Sequence, residues 1–222
     1  VRIGWILLSM LLCTGLLGCT NDDLAAKPSP TQKESTKEEH SERESRQFLK
    51  RVDEQMEREE VVFTLKLQDG TPFKGKETDG KWILISADEE EETIRIEQED
   101  GTIHLTHGEQ TETLTTRQFG LVSPRDHMKL VRESVQRVST ETKDGQDWYV
   151  ADLNKEEMGD KLGRWMGEAY HEGAASQASR KFIFRYRFQF DETELREMVM
   201  QIIPLEESDS SETIRYTFKS DK

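Results

Sequence analysis

Short runs of alternating apolar and polar residues, closed by Asp-Gly pairs, constrain this chain more than any other feature. Lys181 to Phe190 alternates without a break, with Phe182, Phe184, Tyr186, Phe188 and Phe190 on one side of an extended strand. Val61, Phe63, Leu65 and Leu67 alternate in the same way, as do Ile94 and Ile96, Ile103 and Leu105, and Ile214, Tyr216 and Phe218. Asp69-Gly70, Asp79-Gly80, Asp100-Gly101 and Asp144-Gly145 fall between such runs. Asp-Gly is a hairpin signal because glycine accepts the positive φ that tight antiparallel connections need. The pattern predicts an antiparallel sheet with one dry and one wet face.

Helical spacing is interposed. Ser41-x-x-Glu44 fits a capping box, after which Phe48, Val52 and Met56 form a narrow apolar stripe on a charged helix to about Glu59. Ser123 as N-cap, Pro124 at the first helical position and Asp126 in the first turn predict a second helix. Its apolar side would carry His127, Val131, Ser134, Val135 and Val138. Asn154-x-x-Glu157 predicts a third, running to about Tyr170. Trp148 to Leu153 reads as a strand, and Thr111 to Thr115 as a further candidate. Leu195 to Ile203 fits both periods; the short Asp191-Glu192-Thr193 connection favours a strand. Helix, meander, two helices broken by a strand, then more sheet is an α+β order.

The amino-terminal segment addresses the chain to a compartment. Ile3 to Leu17 is apolar but short for a bilayer span of ~20 residues, and it ends in Gly18 rather than in a basic stop signal. Leu16-Leu17-Gly18-Cys19, followed by the polar Thr20-Asn21-Asp22-Asp23, resembles a bacterial lipobox. The resemblance implies a signal peptide over residues 1–18 and a fatty-acyl (palmitate-type) diacylglyceryl thioether on Cys19. Two such chains hold a protein stably at a membrane, each buried methylene contributing ~0.8 kcal/mol. Residues 19–41, with Pro28, Pro30 and a Gln/Lys/Glu/Ser mixture, read as the lipidated cysteine plus a disordered tether. Residues 42–222 then form a single domain. The expected location is extracytoplasmic, on the outer face of the cell membrane or at the outer membrane where the cell has two.

In its element order the body resembles the LolA-like lipoprotein family. That resemblance implies an N-terminal helix and a curved antiparallel half-barrel, with helices interposed on the concave face. The family's implied role is to hold acyl chains; no motif carries individual functional residues across.

The aromatic ladder Phe182, Phe184, Tyr186, Phe188 and Phe190 could line an acyl-chain trough, or simply fill the core. Gly159, Gly163 and Gly167 share one side of the third predicted helix, opposite Met158, Leu162 and Trp165. Each glycine costs ~1 kcal/mol against alanine, which suits either a movable cover for the trough or close backbone packing. Met158, Leu162 and Trp165 therefore join the ladder as candidate ligand-lining residues. His104 and His107 lack a third ligand nearby, and His40, His127 and His171 are isolated, so no metal or cofactor is expected. Beyond Cys13 and Cys19 there is no cysteine, which removes disulfides and a thiol nucleophile from the body. Gly-x-Ser-x-Gly, His-Glu-x-x-His and phosphate-loop motifs are missing from the sequence, and a non-catalytic role is expected. The net charge of −14 opposes nucleic acid as a partner. The expected function is binding of an acyl chain or other hydrophobic ligand. The alternative is a solid-cored module that binds another envelope protein, in sporulation, signalling or wall assembly.

Overall fold

The computed structural model describes residues 31–68, 70–86, 93–115, 123–154, 157, 181–205 and 211–219, with side chains from Glu42 onward. Two described helices, α1 (Thr31–Met56) and α2 (Pro124–Ser134), lie on one face of an open sheet. Its strands are β1 (Glu60–Leu67), β2 (Phe73–Thr78), β3 (Lys81–Ser86), β4 (Ile94–Glu99), β5 (Thr102–His107) and β6 (Gln110–Thr115). After α2 come β7 (Val135–Lys143), β8 (Gln146–Leu153), β9 (Phe182–Asp191), β10 (Glu194–Pro204) and β11 (Glu212–Phe218). The order across the 11-stranded sheet is β6-β5-β4-β3-β2-β1-β11-β10-β9-β8-β7, every described pairing antiparallel. Consecutive strands are adjacent in the sheet except β6 and β7, and the one pairing between distant strands is β1 with β11 (Leu65 opposite Tyr216). β6 and β7 are the two edges, so the half-barrel is not closed.

The expected α+β class and open antiparallel sheet hold. Three of the four Asp-Gly hairpin signals hold: Asp79, Asp100 and Asp144 have φ near +50°, each followed by a positive-φ glycine, while Asp69 lies outside the described residues. Alternation sets the faces. Phe63 and Leu65 on β1, Leu84 on β3, Ile96 on β4, Ile103 on β5, Ala151 on β8 and Tyr216 on β11 are all buried on the inner side.

Two expectations are corrected. Helix α1 begins at Thr31, not at Ser41, and so runs through the last part of the segment read as a tether. Gln, Lys and Glu are good helix formers, and a helix continued outward from an anchored body needs no apolar stripe of its own. Helix α2 stops at Ser134; Val135 and Val138, read as its continuation, belong to β7. Val138 sits opposite Ala151 of β8 and points inward from a strand, a position that also satisfies helical spacing. β2 is a strand that no sequence pattern singles out: Phe73 packs on the core, but the next two inward positions are Gly75 and Glu77.

Gly75 is needed where it stands. A Cβ there would lie 2.4 Å from the Phe63 ring and 2.9 Å from Leu84 Cδ2. The Phe63 ring fills the space a side chain would occupy, and it is only 1% exposed. Gly75→Ala is expected to lower stability by about 1–3 kcal/mol through overpacking, although alanine is less costly than glycine for strand entropy. Urea denaturation would show a lower midpoint; an unchanged or raised midpoint would mean that Phe63 can move aside.

Candidate functional site

The inner face of β9 presents the ladder. Phe184, Tyr186 and Phe188 are buried, while Phe182 and Phe190 at its ends are half-buried. Alternation puts them in one row, and neighbouring strands add Tyr149 and Met198 opposite Phe188 and Met200 opposite Tyr186. Phe188 stacks between Tyr186 and Phe190, with ring centroids 6.1 and 6.3 Å away. From α1, Phe48 reaches down edge-on to Phe188 at 5.0 Å and meets Tyr149 at 5.5 Å. The centre of the ladder is thus filled by an aromatic cluster rather than held open. Cys19, Met158, Leu162 and Trp165 lie outside the described residues, as do Gly159, Gly163 and Gly167 of the third predicted helix.

A second group of residues, unread as a unit from sequence, lies beneath the start of α2. Ser123 Oγ accepts from Asp126 N at 3.1 Å, as its N-cap role requires, and donates to the Glu77 carboxylate, 3.0 Å from each oxygen. Glu77 is 2% exposed. Burial pushes its carboxyl pKa up, opposed by the Ser123 hydrogen bond and the Arg125 charge. The pair ties the α2 N-terminus to β2, where the positive end of the helix dipole favours a carboxylate.

One turn further along, His127 is also sealed. Its Nδ1 lies 2.7 Å from Tyr186 Oη, and Tyr186 Oη donates to Met200 Sδ at 3.3 Å. With the phenol proton committed to sulfur, Nδ1–H is the donor to Oη. Nε2, which has no partner, then carries a bare lone pair rather than an orphaned N–H, the less costly arrangement. The Tyr216 ring packs on the imidazole at 5.3 Å. Burial holds the His127 pKa down at about 3 and pushes both tyrosines up. His127 is therefore neutral at physiological pH. The sequence signal for this cluster was the inward spacing of Ser123 and His127; nothing marked Glu77 as their neighbour.

The opposite face of the sheet is charged. Arg185 and Arg137 flank Asp152 at 2.8 and 2.6 Å, Arg187 meets Glu141 at 3.1 Å, and Arg215 meets Glu197 at 2.6 Å. Burial alone would raise the Asp152 pKa, but hydrogen bonds from Arg185 and Arg137 hold it below the usual carboxylate value. Trp148, Val150 and Val199 are buried on this face among the arginine stems. His104 and His107 are exposed, and no cluster of His, Cys, Asp and Glu among the described residues could hold a metal ion. Among the described residues no helix is long and apolar enough to cross a membrane.

No protein-family model matches the chain, and no curated protein matches it in sequence. Among solved structures, LprF from Mycobacterium bovis is similar with a TM-score of 0.43 and 8% identity, over 81% of this chain and 93% of that one. The Mycobacterium tuberculosis lipoprotein LppX is similar with a TM-score of 0.45 and 9% identity, over 77% of this chain and 92% of that one. Neither likeness assigns a role to any residue here.

Proposed function

We propose that this protein is a non-catalytic extracytoplasmic lipoprotein, fixed to the membrane through an acylated Cys19, whose body binds an acyl chain or other hydrophobic ligand along the inner face of its sheet. The observation that carries the reading is the extent of that face. It is apolar on most strands from Ile103 on β5 to Val138 on β7, broken on β2 by Glu77, across nearly the whole width of a sheet that does not close on itself. Burying a ligand there would contribute ~25 cal/mol per Å² of apolar surface. The lipobox-like Leu16-Leu17-Gly18-Cys19 supplies the anchor. The sealed state of Glu77 and His127 supports a structural rather than a catalytic use of the buried polar groups.

The test is native mass spectrometry of protein purified in mild nonionic detergent. The expected result is a lipid mass released from the body in addition to the acyl mass on Cys19. A body of bare polypeptide mass would remove the ligand. Persistence of Cys19→Ser in the membrane fraction at the wild-type level would remove the anchor.

One observation favours a second reading. Phe48 fills the space above Phe188 and Tyr149, which suits a solid-cored module that binds another envelope protein. Crosslinking in membranes that captures a single protein partner, from a body without lipid, would favour it.

A further inference from the structure

The ladder is dry at its centre, but its Phe190 end opens into a polar cavity of about 400 Å³ beside the edge strand β7. Arg51 of α1 lies across the mouth. Its guanidinium carbon is 5.6 Å from the centroid of Tyr149 and 5.4 Å from that of Phe190. The two rings meet edge to face at 80°, and both lie within cation–π distance of the guanidinium. Its N–H edge is left uncommitted, for among the described residues Arg51 has no carboxylate partner. A guanidinium fixed in this way presents a fork suited to two oxygens of one anion.

Beside neutral threonines and aromatic rings, the lining includes three carboxylates, Glu141, Asp147 and Glu192. Glu141 is engaged by Arg187, and Asp147 Oδ1 accepts from Thr142 at 2.7 Å. Glu192, at the turn between β9 and β10, is exposed and has no cation partner among the described residues. A simple anion drawn to Arg51 would share the cavity with these carboxylates and be repelled by them. A simple cation would meet Arg51. A ligand that carries both charges satisfies both, and the volume falls in the range of small-molecule sites.

We propose that this cavity binds a small zwitterion, its oxyanion forked by Arg51 and its ammonium held by Glu192 and Asp147 against the exposed edge of the aromatic wall. The site is independent of any acyl chain in the sheet. A free solute and a zwitterionic lipid headgroup share this chemistry.

The experiment is calorimetric titration of the full chain in nonionic detergent with phosphocholine, choline and inorganic phosphate. Phosphocholine is expected to bind at least tenfold more tightly than either half alone. Arg51→Lys keeps the charge and the helix but loses the fork, and is expected to remove that advantage without lowering the melting temperature. Glu192→Gln is expected to weaken phosphocholine and choline together while leaving phosphate unchanged. Competition by phosphatidylcholine vesicles, but not by phosphatidylglycerol vesicles, assigns a lipid headgroup; no competition by either assigns a free solute. The proposal is overturned if phosphocholine binds no better than phosphate or choline, or if Arg51→Lys binds it as the wild type does. Tight phosphocholine binding by a body that carries no acyl ligand would leave this site standing while the proposed function falls.

Discussion

Phe188→Ala is expected to lower the free energy of unfolding by about 3–5 kcal/mol, the range for deleting a buried aromatic ring. Phe188 is 0% exposed and touches aromatic neighbours on three sides: Phe48 above, Tyr186 and Phe190 along the strand. Truncation would leave a void bounded by a helix and by strands fixed in register, neither free to collapse into it. Against a typical stability of about 5–15 kcal/mol, that is a large part of the total. Phe190→Ala, at the half-buried end beside the cavity, is expected to cost about 1–2 kcal/mol. Chemical denaturation of both variants would compare them directly. Equal losses would mean that the ladder is equally open along its length and that Phe48 does not seal its centre.

Acid is expected to destabilise the fold through His127. In the unfolded chain an imidazole takes up a proton near pH 6.5, whereas in the fold burial holds that event down to about 3. Between those values the unfolded state binds a proton that the native state refuses, so the contribution is fully present above pH 6.5 and is lost as pH falls. The slope approaches about 1.4 kcal/mol per pH unit for one proton. Glu77 works in the opposite direction. Its raised pKa makes its contribution greatest below the ordinary carboxyl value and erodes it as pH rises through the raised one. The measurement is unfolding free energy from pH 7 to 4 for the wild type and for His127→Gln, which cannot titrate there. The difference between the two curves should narrow toward low pH and then reverse; parallel curves would show that His127 is protonated within the fold.

These buried polar contacts mark where reading the sequence stops. The hairpins were legible because Asp-Gly pairs and period-two alternation act over a few residues, and the Ser123-Pro124 start of α2 is equally local. The end of α2 was not, since Val131, Ser134, Val135 and Val138 satisfy helical spacing while Val138 also faces inward from β7. Deciding between them requires Ala151 opposite, and that is a tertiary fact. β2 was hidden for a related reason. Glycine and glutamate at inward positions look like loop residues until Phe63 is found filling the space over one and Ser123 capping the other. The aromatic ladder was visible as a row, but whether it lines a trough depended on Phe48, far away in sequence. The rim cavity draws Arg51, Asp147 and Glu192 from three elements, and no local pattern joins them.

The pairing of β1 with β11 has a consequence for how the molecule comes into being. Residues 60–115 and 135–218 each make a ribbon of strands linked to their sequence neighbours, and among the described residues this seam is the one strand pairing that joins one ribbon to the other. The earliest strand must therefore wait for the latest, a long loop closure that slows assembly and leaves greasy surface uncovered in the interval. Loss of Glu212–Phe218 would therefore not trim a tail; it would remove the one strand that pairs with both β1 and β10.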